Sequence, residues 1–113
     1  MEEAEVLLKE AGAAKAVRLA VSGAFHSQLM EEASIKLEQG LAGAQTRTME
    51  VPLYSNLTGE KVSEIPDFAH YFRQQMVSPV RWKQCVRAMM ADGVTHFVEL
   101  GPKKTLCSFI RKI

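Results

Sequence analysis

"KAVRLAVSGAFHSQLMEEASIKLEQGL", residues 15–41, changes its period halfway along. In the first part Val17, Leu19 and Val21 alternate with other residues, the two-residue period of a half-buried strand. From Ser27 onward Leu29, Ala33, Leu37 and Leu41 recur every four residues, with Glu31, Glu32, Lys36 and Glu38 among the positions between. That is the period of an amphipathic helix, with Ser27 as its N-cap. A strand that hands over to a helix through "SGA" is a unit of an α/β fold, and His26 stands at the handover. Ligands bind at such strand ends in open α/β sheets. A neutral imidazole near pH 7 can take a proton from a hydroxyl and return it to a leaving group. An imidazole in a Gly/Ser turn can equally be structural or solvated, and the local sequence leaves both readings open.

The pattern extends in both directions. Upstream, "EEAEVLLKEAG" opens on acids and closes on Gly12, so residues 2–11 read as a helix. Downstream, "VPLYSN" reads as a short strand with Pro52 near its start, and "LTGEKVSEIP" as a turn followed by a short extended piece. Ser78-Pro79 has the form of a helix start, and Trp82, Cys85, Val86, Met89 and Met90 follow at helical spacing up to Gly93. "THFVEL" reads as another strand, and Leu106, Phe109, Ile110 and Ile113 form a last helical stripe. Strands alternating with helices predict an α/β layout with at least part of the sheet parallel. Three strands make a thin sheet, so the chain reads as part of a larger domain.

Composition excludes several classes of function. The 113 residues make one domain's worth of chain, 47% hydrophobic and 24% charged, which predicts an ordered core. A net charge of +1 gives no dense basic stripe for nucleic acid. The charge is uneven, however. Residues 1–56 carry five Lys/Arg against eight Asp/Glu, and residues 57–113 carry nine against five. This is either two solvated faces or a basic surface, drawn from the second half, that meets an acidic partner. Cys85 and Cys107 lack CxxC spacing and read as buried, reduced thiols. No apolar run approaches the roughly 20 residues of a membrane span, and the acidic start is unlike a signal peptide. The expectation is a soluble, cytoplasmic protein.

Other chemistry has little support. The seven serines include none in a GxSxG elbow, the usual setting of a serine nucleophile. His26, His70, His96, Cys85 and Cys107 are scattered without ligand spacing, so no metal site is expected. His70, in "DFAHYFRQQM", has the setting of a surface or packing residue, and His96 that of the solvated face of a strand. "GPKKTL" offers Lys103, Lys104 and a helix start to an anion, or simply two exposed lysines.

"VSGAFHSQLM", "VPLYSNLTGE", "SPVRW" and "FVELGPKKTL" occur here in the order and approximate spacing of the C-terminal part of the malonyl-CoA:acyl-carrier-protein transacylase family. The chain resembles that family along essentially its whole length. The acyltransferase domains of polyketide and type I fatty acid synthases are relatives of the same family. The resemblance implies an α/β-hydrolase-like acyltransferase core with an inserted ferredoxin-like subdomain. Residues 1–21 would be the last helix and strand of the insert, and residues 22–113 the C-terminal part of the large subdomain. It further implies ping-pong transfer of malonyl from coenzyme A, through a serine ester, to the phosphopantetheine thiol of acyl carrier protein, with no cofactor beyond malonyl-CoA as substrate.

By the same resemblance His26 matches the histidine that activates the serine. Gln75, or Gln74 one position away, matches the residue whose main-chain carbonyl orients the imidazole in place of a triad aspartate. Phe25 matches the aromatic residue of malonyl-selective relatives, where a ring fills the space of an α-methyl group. Asn56 matches the "SN" at the end of a core strand and is expected to support loop geometry. The family's serine elbow and carboxylate-binding arginine fall upstream of these residues, and Lys103 stands where the family usually has glycine. The expectation is therefore a piece of the enzyme that carries its histidine, is inactive alone and partners a missing N-terminal portion. A non-catalytic remnant or interaction module, or a segment of a polyketide synthase acyltransferase domain, are the alternatives.

Overall fold

The computed structural model describes residues 2–17, 21–101 and 104–113. Among the described residues five α-helices and one hairpin form: α1 (Glu2–Glu10), α2 (Glu31–Leu41), β1 (Leu53–Tyr54), β2 (Lys61–Val62), α3 (Phe68–Val77), α4 (Trp82–Ala91) and α5 (Thr105–Ile110). A single 3-10 turn, Gln28–Met30, leads into α2.

The expected helices form for local reasons. Glu2, Glu3 and Glu5 lie in the first turn of α1 and Lys9 in its last, each at the end whose partial charge it complements. Helix α4 stops where Gly93 takes φ +88°. There the Gly93 N–H donates to Met90 O and the Val94 N–H to Met89 O, both at 3.0 Å, the paired bonds of a Schellman motif. Helix α3 starts at Asp67, whose Oδ1 accepts the His70 N–H at 2.9 Å.

Two expected boundaries move. Ser78 is the C-cap of α3, and α4 begins four residues later at Trp82, with Arg81 as its N-cap. Pro79 is the cause: its ring disfavours helical backbone at the residue before it, and Ser78 sits extended at φ −105°, ψ 150°. Ser27 precedes the 3-10 turn without capping it through its side chain. Its hydroxyl bonds backward to Ala24 O instead, at 2.7 Å.

The sheet is smaller than expected and of the other sense. Leu53 pairs with Val62 and Tyr54 with Lys61 in an antiparallel hairpin, and no parallel pair occurs among the described residues. Residues 95–100 form no ladder there, and Val98 and Leu100 are 83% and 93% exposed. A strand needs a neighbour's N–H and C=O groups, and the described residues provide none beside this segment. The expected strand over Val17, Leu19 and Val21 falls largely on residues 18–20, which lie outside the described residues; Val17 and Val21 themselves are exposed and unpaired in any ladder.

What core exists is built by α2 on α3 and by the hairpin on α4. Cys85 and Val86 of α4 are 1% and 0% exposed, and Ser34 of α2 and Ser55 after β1 are buried with them. The small Ser34, its hydroxyl satisfied by Glu31 O at 2.6 Å, lets α3 approach α2 closely. Arg73 of α3 then bridges Glu31 and Glu38 of α2, each at 2.7 Å. The apolar stripe expected over Leu29, Ala33, Leu37 and Leu41 is only partly covered, with Leu29 of the 3-10 turn 83% exposed and Leu37 of α2 36%. The radius of gyration is 17.1 Å, against about 13 Å for a compact domain of this length. The accessible surface, 9312 Å², likewise exceeds the roughly 6,200 Å² of a compact monomer of the same mass. Uncovered apolar side chains contribute to this, among them Val6, Leu7 and Leu8 on α1 and Leu106 and Phe109 on α5.

Candidate functional site

His26 is the only residue other than glycine with positive φ among the described residues, at φ 60°. The turn around it is closed by the Ser27 hydroxyl on Ala24 O, while Ser27 O accepts the Met30 N–H at 3.0 Å. This conformation turns the imidazole toward the end of α3, where Nδ1 lies 3.1 Å from the main-chain O of Gln75. The two residues are 49 positions apart in sequence.

The carbonyl is available because it belongs to a helix end. Gln75 lies in the last turn of α3, whose C=O groups lack complete intrahelical partners. A carbonyl only accepts, so the imidazole must carry its proton on Nδ1, and Nε2 is left with a lone pair. The partial negative charge at the helix C-terminus faces a ring that becomes positive whenever Nε2 takes a proton. In its neutral form the imidazole is thus a base whose reactive nitrogen is fixed. His26 is also exposed.

The other expected residues distribute as follows. Phe25 is 56% exposed, its ring folded back so that Cζ is 3.5 Å from where a Cβ on Gly23 would stand. Asn56 makes no hydrogen bond to His26 or Gln75; its main-chain O accepts the Arg81 N–H at 2.9 Å. Its side chain approaches Cys85 Sγ at 3.9 Å, so it ties the hairpin loop to α4. The Gln74 side chain reaches His70 Nε2 at 2.9 Å, and His70 Nδ1 reaches Glu38 at 2.9 Å, a packing role for His70. His96 is exposed and bonds only its neighbour Thr95. No group of metal-ligating side chains occurs among the described residues. A groove of about 650 Å³ lined by Arg47, Met49, Leu53, Ile65, Phe68 and Phe72 contains none of these site residues.

Some of the second half's charge is used within the chain. Arg73, one of its nine basic residues, is engaged by Glu31 and Glu38, and these partners hold its guanidinium firmly protonated. The start of α5 is not open to an anion, because Glu99 accepts the Leu106 and Cys107 N–H groups at 3.2 and 2.9 Å. Those bonds, the one from Cys107 first, hold the Glu99 carboxyl below its usual range. Lys103 lies outside the described residues. Both cysteines are free thiols; Cys85 is buried, which pushes it up, whereas Cys107 is only half-buried.

Sequence reasoning missed Ser55. Its hydroxyl receives Tyr71 of α3 and the Leu57 N–H, and its carbonyl receives the Cys85 thiol at 3.1 Å. Ser55 therefore joins the hairpin, α3 and α4, one helical turn before Gln75. The "YSN" sequence marks a strand end but carries no sign of this junction.

Residues 3–112 match the acyl transferase domain family. The chain is 38% identical over 113 residues to the malonyl CoA-acyl carrier protein transacylase of Bacillus subtilis (strain 168), covering 100% of this chain and 36% of that protein. It thus spans about a third of the length of that curated relative. Among solved structures, it resembles the acyltransferase domain from the second module of the salinomycin polyketide synthase, with TM-score 0.89 and 38% identity over 98% of this chain and 26% of that one. It also resembles a malonyl-transacylase solved in complex with a type II polyketide synthase acyl-carrier protein, with TM-score 0.83 and 32% identity over 97% of this chain and 36% of that one. The likeness is that of an α/β acyltransferase fold, of which the hairpin and helices here are one part.

Proposed function

Because the chain belongs to the acyl transferase domain family, we propose that it forms one part of a malonyl-CoA:acyl-carrier-protein transacylase site and supplies that site's proton-carrying histidine, His26. The observation that carries this reading is the His26 Nδ1 contact with Gln75 O at 3.1 Å, which leaves Nε2 free as a base. In the first half-reaction Nε2 takes the proton of a serine hydroxyl as its oxygen attacks the malonyl thioester; the proton then passes to the departing coenzyme A sulfur. In the second half-reaction Nε2 takes the proton of the phosphopantetheine thiol as its sulfur attacks the serine ester, and returns it to the serine oxygen. One imidazole serves both steps because each removes one proton and delivers one.

The serine and the arginine for the malonyl carboxylate are contributed by a segment other than these 113 residues, and the chain alone is inactive. Residues 1–21 close a ferredoxin-like subdomain, and residues 22–113 belong to the α/β-hydrolase-like large subdomain. The apolar faces of α1 and α5 are where the remainder of the enzyme packs. Phe25 limits the acyl group to malonyl, and Asn56 supports the loop before α4. No cofactor takes part, malonyl-CoA being the substrate. A cytoplasmic location goes with this reading; no helix among the described residues is long and apolar enough to cross a membrane.

The acidic carrier protein is met by basic groups of the second half. Arg73 is engaged internally and the Arg81 Nε donates to Leu57 O, while Lys83, Arg87 and Lys104 are exposed. Lys83 and Arg87 are four apart on α4 and share one face. The similarity to a polyketide synthase acyltransferase domain favours a second reading, the same half-site within such a synthase.

The test is malonyl transfer to acyl carrier protein by the chain combined with the segment that supplies the serine. His26→Ala should lower kcat by about 10²- to 10⁴-fold. Undiminished transfer by that variant would sink the catalytic reading and leave a remnant or interaction module. Binding of carrier protein should weaken as salt rises, and salt-insensitive binding would count against the basic face.

A further inference from the structure

In an α-helix the carbonyl of residue i accepts the N–H of residue i+4. For Gln75 that residue is Pro79, which has no N–H. We propose that Pro79 is a positioning residue for His26: its missing N–H keeps the Gln75 carbonyl free for the imidazole. This rests on the reading of His26 as the proton carrier.

Three observations support it together. Helix α3 ends at Val77, and Ser78 before the proline is extended, so the chain leaves the helix at the turn that would otherwise cover Gln75 O. Among the described residues the only backbone donor on that oxygen past the helix is the Ser78 N–H, at a long 3.4 Å. The vacant direction is filled by His26 Nδ1 at 3.1 Å, nearer than the backbone donor. Both groups need each other, since the imidazole cannot fix its tautomer without an acceptor. An N–H at position 79 would allow the helix to extend and compete for the same oxygen. The Ser27 hydroxyl on Ala24 O holds the other side, keeping the ring at the left-handed turn.

Two replacements separate the N–H from the ring. Pro79→Ala restores the N–H, whereas lactic acid at position 79, an ester linkage, has neither N–H nor ring. Both are made in the chain combined with the segment that supplies the serine. Nitrogen-15 spectra of His26 report its tautomer, and transfer kinetics report kcat and KM. The expected result for Pro79→Ala is loss of the Nδ1–H tautomer with kcat about tenfold lower and KM for malonyl-CoA unchanged; the lactic acid variant should recover both. If Pro79→Ala keeps tautomer and kcat, or the ester variant loses them equally, the proposal is wrong. Where Pro79→Ala does not fold, the ester variant still decides, since it must retain the Nδ1–H signal. An active His26→Ala enzyme would remove the catalytic reading alone, because the tautomer is measured without turnover.

Discussion

A histidine at φ 60° occupies a backbone region that costs an L-residue with a Cβ about 1–2 kcal/mol. Such conformations persist where surrounding contacts fix them and concentrate at functional sites. Here the fixing contacts are the Ser27 hydroxyl on one side and Gln75 O on the other. Phe25, next in line, is the residue proposed to bear on selectivity. Its ring rests on Gly23 and remains more than half exposed, free to form a wall of an acyl pocket. Phe25→Ala should raise the preference for methylmalonyl over malonyl, as a ratio of kcat/KM, by roughly 10- to 100-fold. An unchanged ratio would remove Phe25 from the specificity account. At this scale the sequence pointed to His26 and a glutamine that the structure brings within 3.1 Å of each other, and was silent about how they are held. The motif around His26 and the glutamine pair were both readable; the left-handed turn was not, because no glycine or asparagine signals it. That Gln75 and not Gln74 meets the ring follows from where α3 ends, and Pro79 set that end in plain sight.

Among the elements, the hairpin and α4 depend on a polar tie at the C-terminus of α4. Asp92 sits there, where the helix dipole disfavours a negative charge. Tyr54 donates to its carboxylate at 2.6 Å and Lys61 lies 3.4 Å away. The Tyr54 hydroxyl first, and Lys61 with it, hold the Asp92 carboxyl below its ordinary value against some burial. A depressed carboxyl stabilises the fold at pH above its ordinary value, and that contribution disappears as pH falls through the lower, folded value. Hydrogen exchange at β1, β2 and the end of α4 should therefore quicken on acidification, and Tyr54→Phe should flatten the response. An identical profile in that variant would refute the tie. Helix periods were legible because they depend on near neighbours, and Gly93 ended α4 as its sequence implied. The strand expected at residues 95–100 was not realised, because alternation describes a surface that can pair and not the partner it pairs with. Ser78 misled for a related reason: hydroxyl then proline fits the start of one helix as well as the end of another.

The whole molecule leaves about 3,000 Å² more surface exposed than a compact chain of its mass would. Exposed apolar side chains lie on α1, on α5 and at Val98 and Leu100, and also at Phe25, Leu29, Ile35 and Leu37 around the histidine site, whereas the His26–Gln75 contact and the α2–α3 ion pairs are made within the chain. The site is therefore held by contacts within the chain, while the surfaces around it await others. This is the form expected of the proposed half-site, in which the base is preset and the nucleophile would come with a segment that covers the apolar faces. Intact-protein mass after incubation with malonyl-CoA tests that claim most directly. One malonyl group should be added when the chain is combined with the segment that supplies the serine, and none when the 113-residue chain is incubated alone. A malonyl adduct on the isolated chain, or none on the combination, would contradict the account.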